Sequence, residues 1–276
     1  MHVNETLLQL QELSCQSYKQ PLVSEYYNIF LLEGSGAISI DFVEYTYSGK
    51  IALFTSPYQY ITIASDTDLP IRQLAFHGDF YCIEYHKQEV ACNGLLFNNI
   101  YKQPFIPLFD NELDAIFDKI RSETALNQPY SEPILRTYLQ LILAIGSRIK
   151  RQQQDLVTTL PPQPIEQFRE LLELHFITHR SADFYAAELA MAPGTFAKKC
   201  KKYFGKSPLQ LLQERVVLEA KKQLHLTHKS VKEVAAVLNF SDEHYFSRFF
   251  KKHTGVSPTV FREKVGISIV ADLSMR

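Results

Sequence analysis

Two stretches in the last third of the chain, about fifty residues apart, are versions of one another. The first runs Tyr185-Ala186-Ala187-Glu188-Leu189-Ala190-Met191 and continues to Gly205-Lys206-Ser207-Pro208. The second runs Val234-Ala235-Ala236-Val237-Leu238-Asn239-Phe240 and continues to Gly255-Val256-Ser257-Pro258. Ala186 matches Ala235 and Met191 matches Phe240 at an offset of 49; Phe196 matches Phe246, and the two Gly-x-Ser-Pro segments match, at an offset of 50. The extra residue falls in a turn, where an insertion is easily absorbed. A repeat of this period means that one supersecondary unit is built twice, which restricts this region to a pair of like modules.

The rest of the chain is organised differently. At 276 residues it exceeds one typical core, so two domains are expected. The net charge of −1 conceals a division: residues 1–162 hold 11 Lys+Arg against 18 Asp+Glu, and residues 163–276 hold 18 against 12. A basic half joined to an acidic one suits a polyanion-binding module attached to a domain that does not touch the polyanion. The four cysteines, Cys15, Cys82, Cys92 and Cys200, show no C-x-x-C spacing, which fits reduced, buried thiols. No leader-like segment opens the chain, and no apolar run reaches the ~20 residues of a membrane span. A soluble cytoplasmic protein with no membrane partner is the expectation.

Strand signals crowd residues 22–77. Ala37–Phe42 alternates apolar and polar side chains after the turn Gly34-Ser35-Gly36, and Tyr26–Leu32 precedes it. Lys50–Thr55, Tyr58–Ala64 and Ile71–Phe76 follow, separated by turn residues. Short strands at this spacing predict a small barrel or sandwich. Beyond residue 105 the period becomes helical. Leu113, Ile116, Phe117 and Ile120 make one stripe; Ile134, Leu135, Tyr138, Leu141, Ile142, Ile145 and Ile149 make a longer one. Asp110 and Ser131 are candidate N-caps. These helices either close the β-domain's core or form a dimer surface. Residues 151–164, with Gln152-Gln153-Gln154 and a proline-rich end, read as an extended linker.

The β-rich half offers no catalytic constellation. Within the strand-rich stretch only His77 and His86 stand as metal ligands, without an H-x-H pair, and nothing like a nucleophile elbow surrounds Cys82. A Tyr- and Phe-rich barrel of this kind is better suited to holding an apolar or aromatic small molecule than to transforming one. No metal and no cofactor are expected.

The repeats carry more chemistry. Ile165–His179 reads as a helix with Phe168, Leu171, Leu172 and Phe176 on one face. His175 and His179 lie four apart on it and lack a third ligand. Asp183 is placed to cap the next short helix, and Pro193 suits the first position of the helix after the turn Met191-Ala192. That helix buries Phe196 and Cys200 and carries Lys198, Lys199, Lys201 and Lys202 elsewhere. In the second repeat Ser230 caps the first helix. Asn239 stands where the turn needs a left-handed residue, and Ser241 or Asp242 caps the second helix. Phe246, Phe249 and Phe250 form its buried stripe; Glu243, His244, Ser247, Arg248 and Lys251 share the other face, as in a helix seated in a major groove. Between the repeats a helix from Pro208 to about Leu224, with Leu209, Leu212, Val216, Ala220 and Leu224 as its spine, fixes their separation.

The run Ala235-x3-Asn239-Phe240-Ser241-Asp242-x2-Tyr245-Phe246-Ser247-Arg248-x-Phe250-Lys251-Lys252-x-Thr254-Gly255-x-Ser257-Pro258-x2-Phe261-Arg262 resembles the signature of AraC/XylS-type transcriptional regulators. The resemblance spans about residues 165–265, including Arg215 and Ala220 of the linking helix. It departs at Asn239, where the family more often has glycine, and at Cys200, where a large apolar residue is usual.

The resemblance implies an α+β chain. Residues 1–150 would be a cupin-like β-barrel with appended helices, for effector binding or dimerisation. Residues 151–164 would be the linker, and 165–265 an all-α domain with two helix-turn-helix units on a linking helix, followed by a tail at 266–276. Carried to matching positions, base contacts fall on Gly194, Thr195, Ala197 and Lys198, and on Glu243, His244, Ser247 and Arg248. Because Gly194 and Ala197 offer no side-chain hydrogen bonds, the first module would contribute mostly phosphate contacts. Phosphate contacts fall on Lys201, Lys202, Lys251 and Lys252. The implied partners are double-stranded DNA, a small-molecule effector, a second copy of the chain and, for an activator, RNA polymerase. Two alternatives stay open: a regulator whose barrel binds no ligand and serves only dimerisation or partner contact, and an enzyme fused to a DNA-binding module.

Overall fold

The computed structural model describes residues 7–14, 18, 22–41, 43–67, 69–83, 94–157 and 164–267. Two compact units emerge: Met1–Asn99 with Gln103–Gln154, and Ile100–Lys102 with Asp155–Arg276.

The first unit contains eight strands among the described residues: β1 (Leu8–Leu13), β2 (Tyr27–Leu32), β3 (Ser35–Ile40), β4 (Val43–Ser48), β5 (Ile51–Thr55), β6 (Ile61–Ser65), β7 (Ile71–Phe76) and β8 (Phe105–Pro107). They pair antiparallel into one sheet of order β1-β7-β2-β5-β8 and a second of order β4-β3-β6. Strand β2 is buried along its whole length, and its period-2 alternation explains how. Tyr27, Ile29 and Leu31 point into a core shared with helices, whereas Phe30 and Leu32 point into a core shared with the second sheet. Both faces are apolar, so the strand reads as a continuous hydrophobic run.

Two helices, α1 (Glu112–Leu126) and α2 (Ser131–Val157), cover the outer face of the larger sheet. Leu113, Ile116, Phe117 and Ile120 of α1 are buried there, as their spacing predicts. On α2 the buried apolar side chains are Leu135, Leu139, Ile142, Leu143 and Ile145, while Ile134 and Leu141, expected in the stripe, are 39% and 45% exposed. Much of α2 is apolar, and the sheet it meets decides which side is covered. Gly146 lets the helix approach closely: a Cβ there would lie 3.1 Å from both Phe54 and Leu96 side chains. The residues read as the start of a linker are helical as far as Val157. Glutamine is a good helix former, and nothing in Arg151–Val157 breaks the hydrogen-bond ladder; residues 158–163 lie outside the described residues.

Strands β1, β4 and β8 are not among those the sequence predicts, although Leu8–Leu13 and Val43–Ser48 both alternate. Asn111, rather than Asp110, is the N-cap of α1, though an Asp110 carboxylate oxygen accepts from the Glu112 amide at 3.0 Å. Ser131 is the first helical residue of α2.

The second unit holds α3 (Gln167–His175), α4 (Ala182–Glu188), α5 (Pro193–Phe204), α6 (Pro208–Leu226), α7 (Val231–Val237), α8 (Glu243–Thr254) and α9 (Pro258–Val265). Helix α3 is shorter than expected: a 3₁₀ turn covers Pro164–Glu166, and His179 lies beyond the helix end. Phe168 centres the first module, with its ring against Tyr185 at 5.3 Å, Phe196 at 4.9 Å and Phe204 at 6.1 Å. Cys200 is fully buried on the same side, so the smaller side chain is accommodated within the packing. The second module is built on Phe246, Phe250 and Phe261, with centroids 5.9 and 5.4 Å apart along that series. Phe249 is only partly buried.

Helix α6 packs against α5, α7, α8 and α9. Its spine is Leu211, Leu212, Arg215, Val216, Val217, Ala220 and Leu224; Leu209, expected there, is 50% exposed. Arg215 is buried because it is satisfied, bonding Glu173 at 2.8 Å and Glu219 at 3.1 Å while stacking over Phe176.

Candidate nucleic-acid interface

The repeat is repeated geometry. In the first module the Met191 amide donates to the Ala186 carbonyl at 2.8 Å and the Ala190 amide to Ala187 at 2.9 Å. In the second, Phe240 donates to Ala235 and Asn239 to Ala236, both at 2.9 Å. Each pair is a Schellman motif, and each puts one residue in the left-handed region: Ala190 at φ 50° and Asn239 at φ 55°. Asn239 does what its side chain predicts. Ala190 occupies the same conformation without a side chain that favours it.

The Gly-x-Ser-Pro segments are a second shared device. Gly205 (φ 72°) and Gly255 (φ 79°) end α5 and α8 in the left-handed conformation. Ser207 and Ser257 then accept from the amides of Gln210 and Val260, and Pro208 and Pro258 take the first helical position. Each second helix is thereby held between a fixed turn and a fixed stop.

Caps also orient the helices. Ser181, not Asp183, caps α4, accepting from the Asp183 amide. Ser230 forms a capping box with Glu233 on α7, and Asp242, rather than Ser241, caps α8 through the Tyr245 amide at 2.7 Å. The Ser230 backbone amide holds the Glu233 carboxyl below its ordinary range, and the Tyr245 amide does the same for Asp242.

With Phe196, Cys200 and Phe204 buried, α5 turns Gly194, Thr195, Ala197, Lys198, Lys201 and Lys202 to solvent. Thr195, Lys198 and Lys202 follow one another at helical spacing on one face. Lys201 donates to the Gly205 carbonyl at 2.8 Å, at the C-terminal end of the helix. On α8, Glu243, His244, Arg248, Lys251 and Lys252 are exposed and Ser247 is half-buried. His244, Ser247, Arg248 and Lys251 form one stripe, opposite Phe246 and Phe250. Both helices therefore present a polar, cation-bearing face of the kind that reads a groove, and α8 presents the richer set of donors.

Sequence reasoning missed Arg180. Its guanidinium carbon sits 4.0 Å from the centre of the Phe240 ring, and it donates to the Leu238 carbonyl. No local pattern marks it, because both partners are about sixty residues away.

Other candidate sites assemble less. His179 stacks on Phe184 at 3.7 Å and His175 lies edge-on to both. Among the described residues no three His, Cys, Asp or Glu side chains converge as metal ligands. His77 is buried 3.3 Å from Asp79, and Cys82 is buried; His86, Cys15 and Cys92 lie outside the described residues. Burial pushes the Cys200 thiol up to about 12, the opposite of activation.

In the first unit a buried polar row crosses the larger sheet: the Tyr18 hydroxyl donates to Gln73 at 2.8 Å, Gln73 to Asn28 at 2.8 Å, and Asn28 to Thr55 at 3.3 Å. It borders an open cleft of about 360 Å³ whose lining includes Gln9, Gln11, Tyr18, Glu25 and Gln73. No helix among the described residues is long and apolar enough to cross a membrane.

The second unit is thus a paired helix-turn-helix module on a rigid connecting helix. Residues 185–264 match the family model described as a helix-turn-helix domain. Over 67 residues the chain is 33% identical to the raffinose operon transcriptional regulatory protein RafR of Pediococcus pentosaceus, covering 24% of each chain. Over 139 residues it is 27% identical to the arabinose operon regulatory protein of Escherichia coli (strain K12), covering 48% of this chain and 45% of that one. The matches thus span less than half the length of these relatives. Among solved structures, apo ToxT of Vibrio cholerae is 15% identical with a TM-score of 0.43, covering 94% of this chain and 97% of that one.

Proposed function

We propose that this protein is a sequence-specific, DNA-binding transcription regulator and not an enzyme. The observation that carries this reading is the doubled turn geometry, which holds α5 and α8 alike with their polar faces outward. Two such helices enter successive major grooves when set about one DNA turn (~34 Å) apart. Thr195 and Lys198 on α5 read base edges, as do Glu243, His244, Ser247 and Arg248 on α8. Lys201, Lys202, Lys251 and Lys252 take phosphates, which hold register without carrying sequence information. The division between a β-rich regulatory domain at 1–150 and a reading domain at 165–265 belongs to the same proposal. So do a homodimer, a place on the nucleoid in the cytoplasm, and contact with RNA polymerase if the protein activates.

Control by a small molecule is the finer part of the proposal. The row Tyr18-Gln73-Asn28 and the amides of Gln9 and Gln11 at the open cleft suit a neutral, polyhydroxylated or amide-bearing ligand. One observation favours the alternative of a ligand-free domain: Phe30, Leu53, Ile61 and Ile63 fill the space between the sheets. The fused-enzyme alternative would need an activated thiol or a metal cluster, and the raised Cys200 runs against the former.

The test is selection of bound fragments from the source genome by full-length protein, followed by a salt titration. One enriched motif in two blocks about a helical turn apart, with steep salt dependence, is expected. Enrichment without a motif, at any salt, would overturn the reading.

A further inference from the structure

We propose that Arg180 is a positioning residue that locks the second helix-turn-helix to the first and so sets how α5 and α8 are presented together; this rests on the DNA-reading role proposed above. Arg180 lies in the turn between α3 and α4, inside the first module, yet its side chain reaches the turn of the second. There it does two things at once. It donates to the carbonyl of Leu238, the C-cap residue of α7, whose acceptor would otherwise face the helix end unsatisfied. It also lays its guanidinium over Phe240, 4.0 Å from the ring centre. Arginine combines a planar face for stacking with several charged donors at its edge, which lysine does not.

Phe240 passes the constraint on. Its ring centroid is 5.7, 5.1 and 5.3 Å from those of Tyr245, Phe246 and Phe249 on α8, the helix that carries His244, Ser247 and Arg248. A shift of Phe240 therefore turns the reading face. Helix α6 joins the modules through the chain and packs against helices of both. Arg180 adds a direct tie from the first module to the turn of the second.

The repeat shows that this tie is not a generic feature of the module. Ser181 and Ser230 are equivalent N-caps, which makes Lys229 the counterpart of Arg180. The Lys229 ammonium bonds Gln223 of the adjacent linking helix at 2.9 Å. The counterpart of Phe240 is Met191, which is only half-buried. The first module's turn thus carries an aliphatic side chain where the second carries the ring under Arg180.

The experiment compares full-length wild type with Arg180→Ala, Arg180→Lys and Phe240→Leu. The probe is the duplex that wild type selects from a random library, with versions in which either half is scrambled or one base pair is inserted between halves. Arg180→Ala should weaken binding to the intact duplex about tenfold, as expected for losing a stacked, charge-assisted contact. Binding to each half-scrambled duplex should hold within about twofold, since Arg180 touches neither reading face, and the one-base-pair insertion should be penalised less. Arg180→Lys should not restore the loss, Phe240→Leu should reproduce it, and the double variant of Arg180→Ala with Phe240→Leu should lose no more than either alone. Equal losses on intact and half-scrambled duplexes, or no loss, overturn the proposal.

A DNA-free readout separates this failure from failure of the function. Residual dipolar couplings should fit one alignment frame across both modules in wild type and two frames in Arg180→Ala or, should that variant not fold, in Phe240→Leu. A single frame in the folded variant overturns the clamp even if wild type selects no duplex. Two frames support it in the same circumstance, and then only the DNA-reading role falls.

Discussion

Ala190 and Asn239 occupy one position of the repeat and the same left-handed conformation, at φ 50° and 55°. An alanine there costs roughly 1–2 kcal/mol, which glycine avoids at some entropic expense. Ala190→Gly should therefore stabilise the protein by ~0.5–1 kcal/mol in a denaturant titration. Asn239→Ala should destabilise it, since asparagine tolerates the conformation better. The asparagine was legible in the sequence because its side chain favours such turns; the alanine was legible only through its alignment with Asn239. On the reading face, Arg248→Ala should cost ~1–3 kcal/mol of discrimination at one base pair, measured on single-substitution duplexes. Lys251→Ala should instead lower affinity evenly across sequences and reduce the salt slope by about 1. A uniform loss for Arg248→Ala would reassign that residue to a phosphate.

Among the elements, the helices were legible where a cap or a stripe met a single packing surface. The buried faces of α5 and α8 follow directly from Phe196 and Cys200, and from Phe246 and Phe250. Five of the seven residues in the α2 stripe pack on the sheet core, and only Ile134 and Leu141 fall outside it, because apolar residues spread around the helix and the sheet alone selects a side. Strands β1 and β4 both alternate, and β4 runs directly into the turn at Ser48-Gly49, so β4 was legible in the sequence. Cap identity was read to within a residue or two, since Ser181 and Asp183, or Ser241 and Asp242, are all capable acceptors. The caps predict measurable stability. Ser207→Ala should cost ~1 kcal/mol by removing the acceptor that begins α6. The carboxyls of Glu233 and Asp242 are held below their ordinary values by backbone amides. Their contribution is therefore fully present above the usual carboxyl range near ~4 and is lost as the pH falls through their lower folded values. Helices α7 and α8 should lose amide protection across that window, and Asp242→Asn should flatten its share of the dependence. Protection that is unchanged between neutral pH and pH 3 would contradict this.

Over the whole molecule, charge and fold agree. The positive excess lies in the half of the chain that carries the paired helices, and the acidic half carries the β-rich unit. That division was legible from composition, and the doubled module from its repeat. What tertiary structure alone reveals is the buried polar row from Tyr18 to Thr55 and the reach of Arg180 between modules, since neither leaves a local pattern. If the cleft takes a polar ligand, Gln73→Leu should abolish the rise in thermal midpoint that the ligand causes. Retention of that rise would place the ligand elsewhere.

The most direct test of the account is a hydroxyl-radical footprint, with guanine-methylation interference, of full-length protein on the duplex it selects. Two interference blocks about 10 base pairs apart on one face of the duplex, the block under α8 weakened at one guanine by Arg248→Ala, are predicted. A single block, or protection confined to the backbone without interference at any base, would contradict the claim that both helices read DNA.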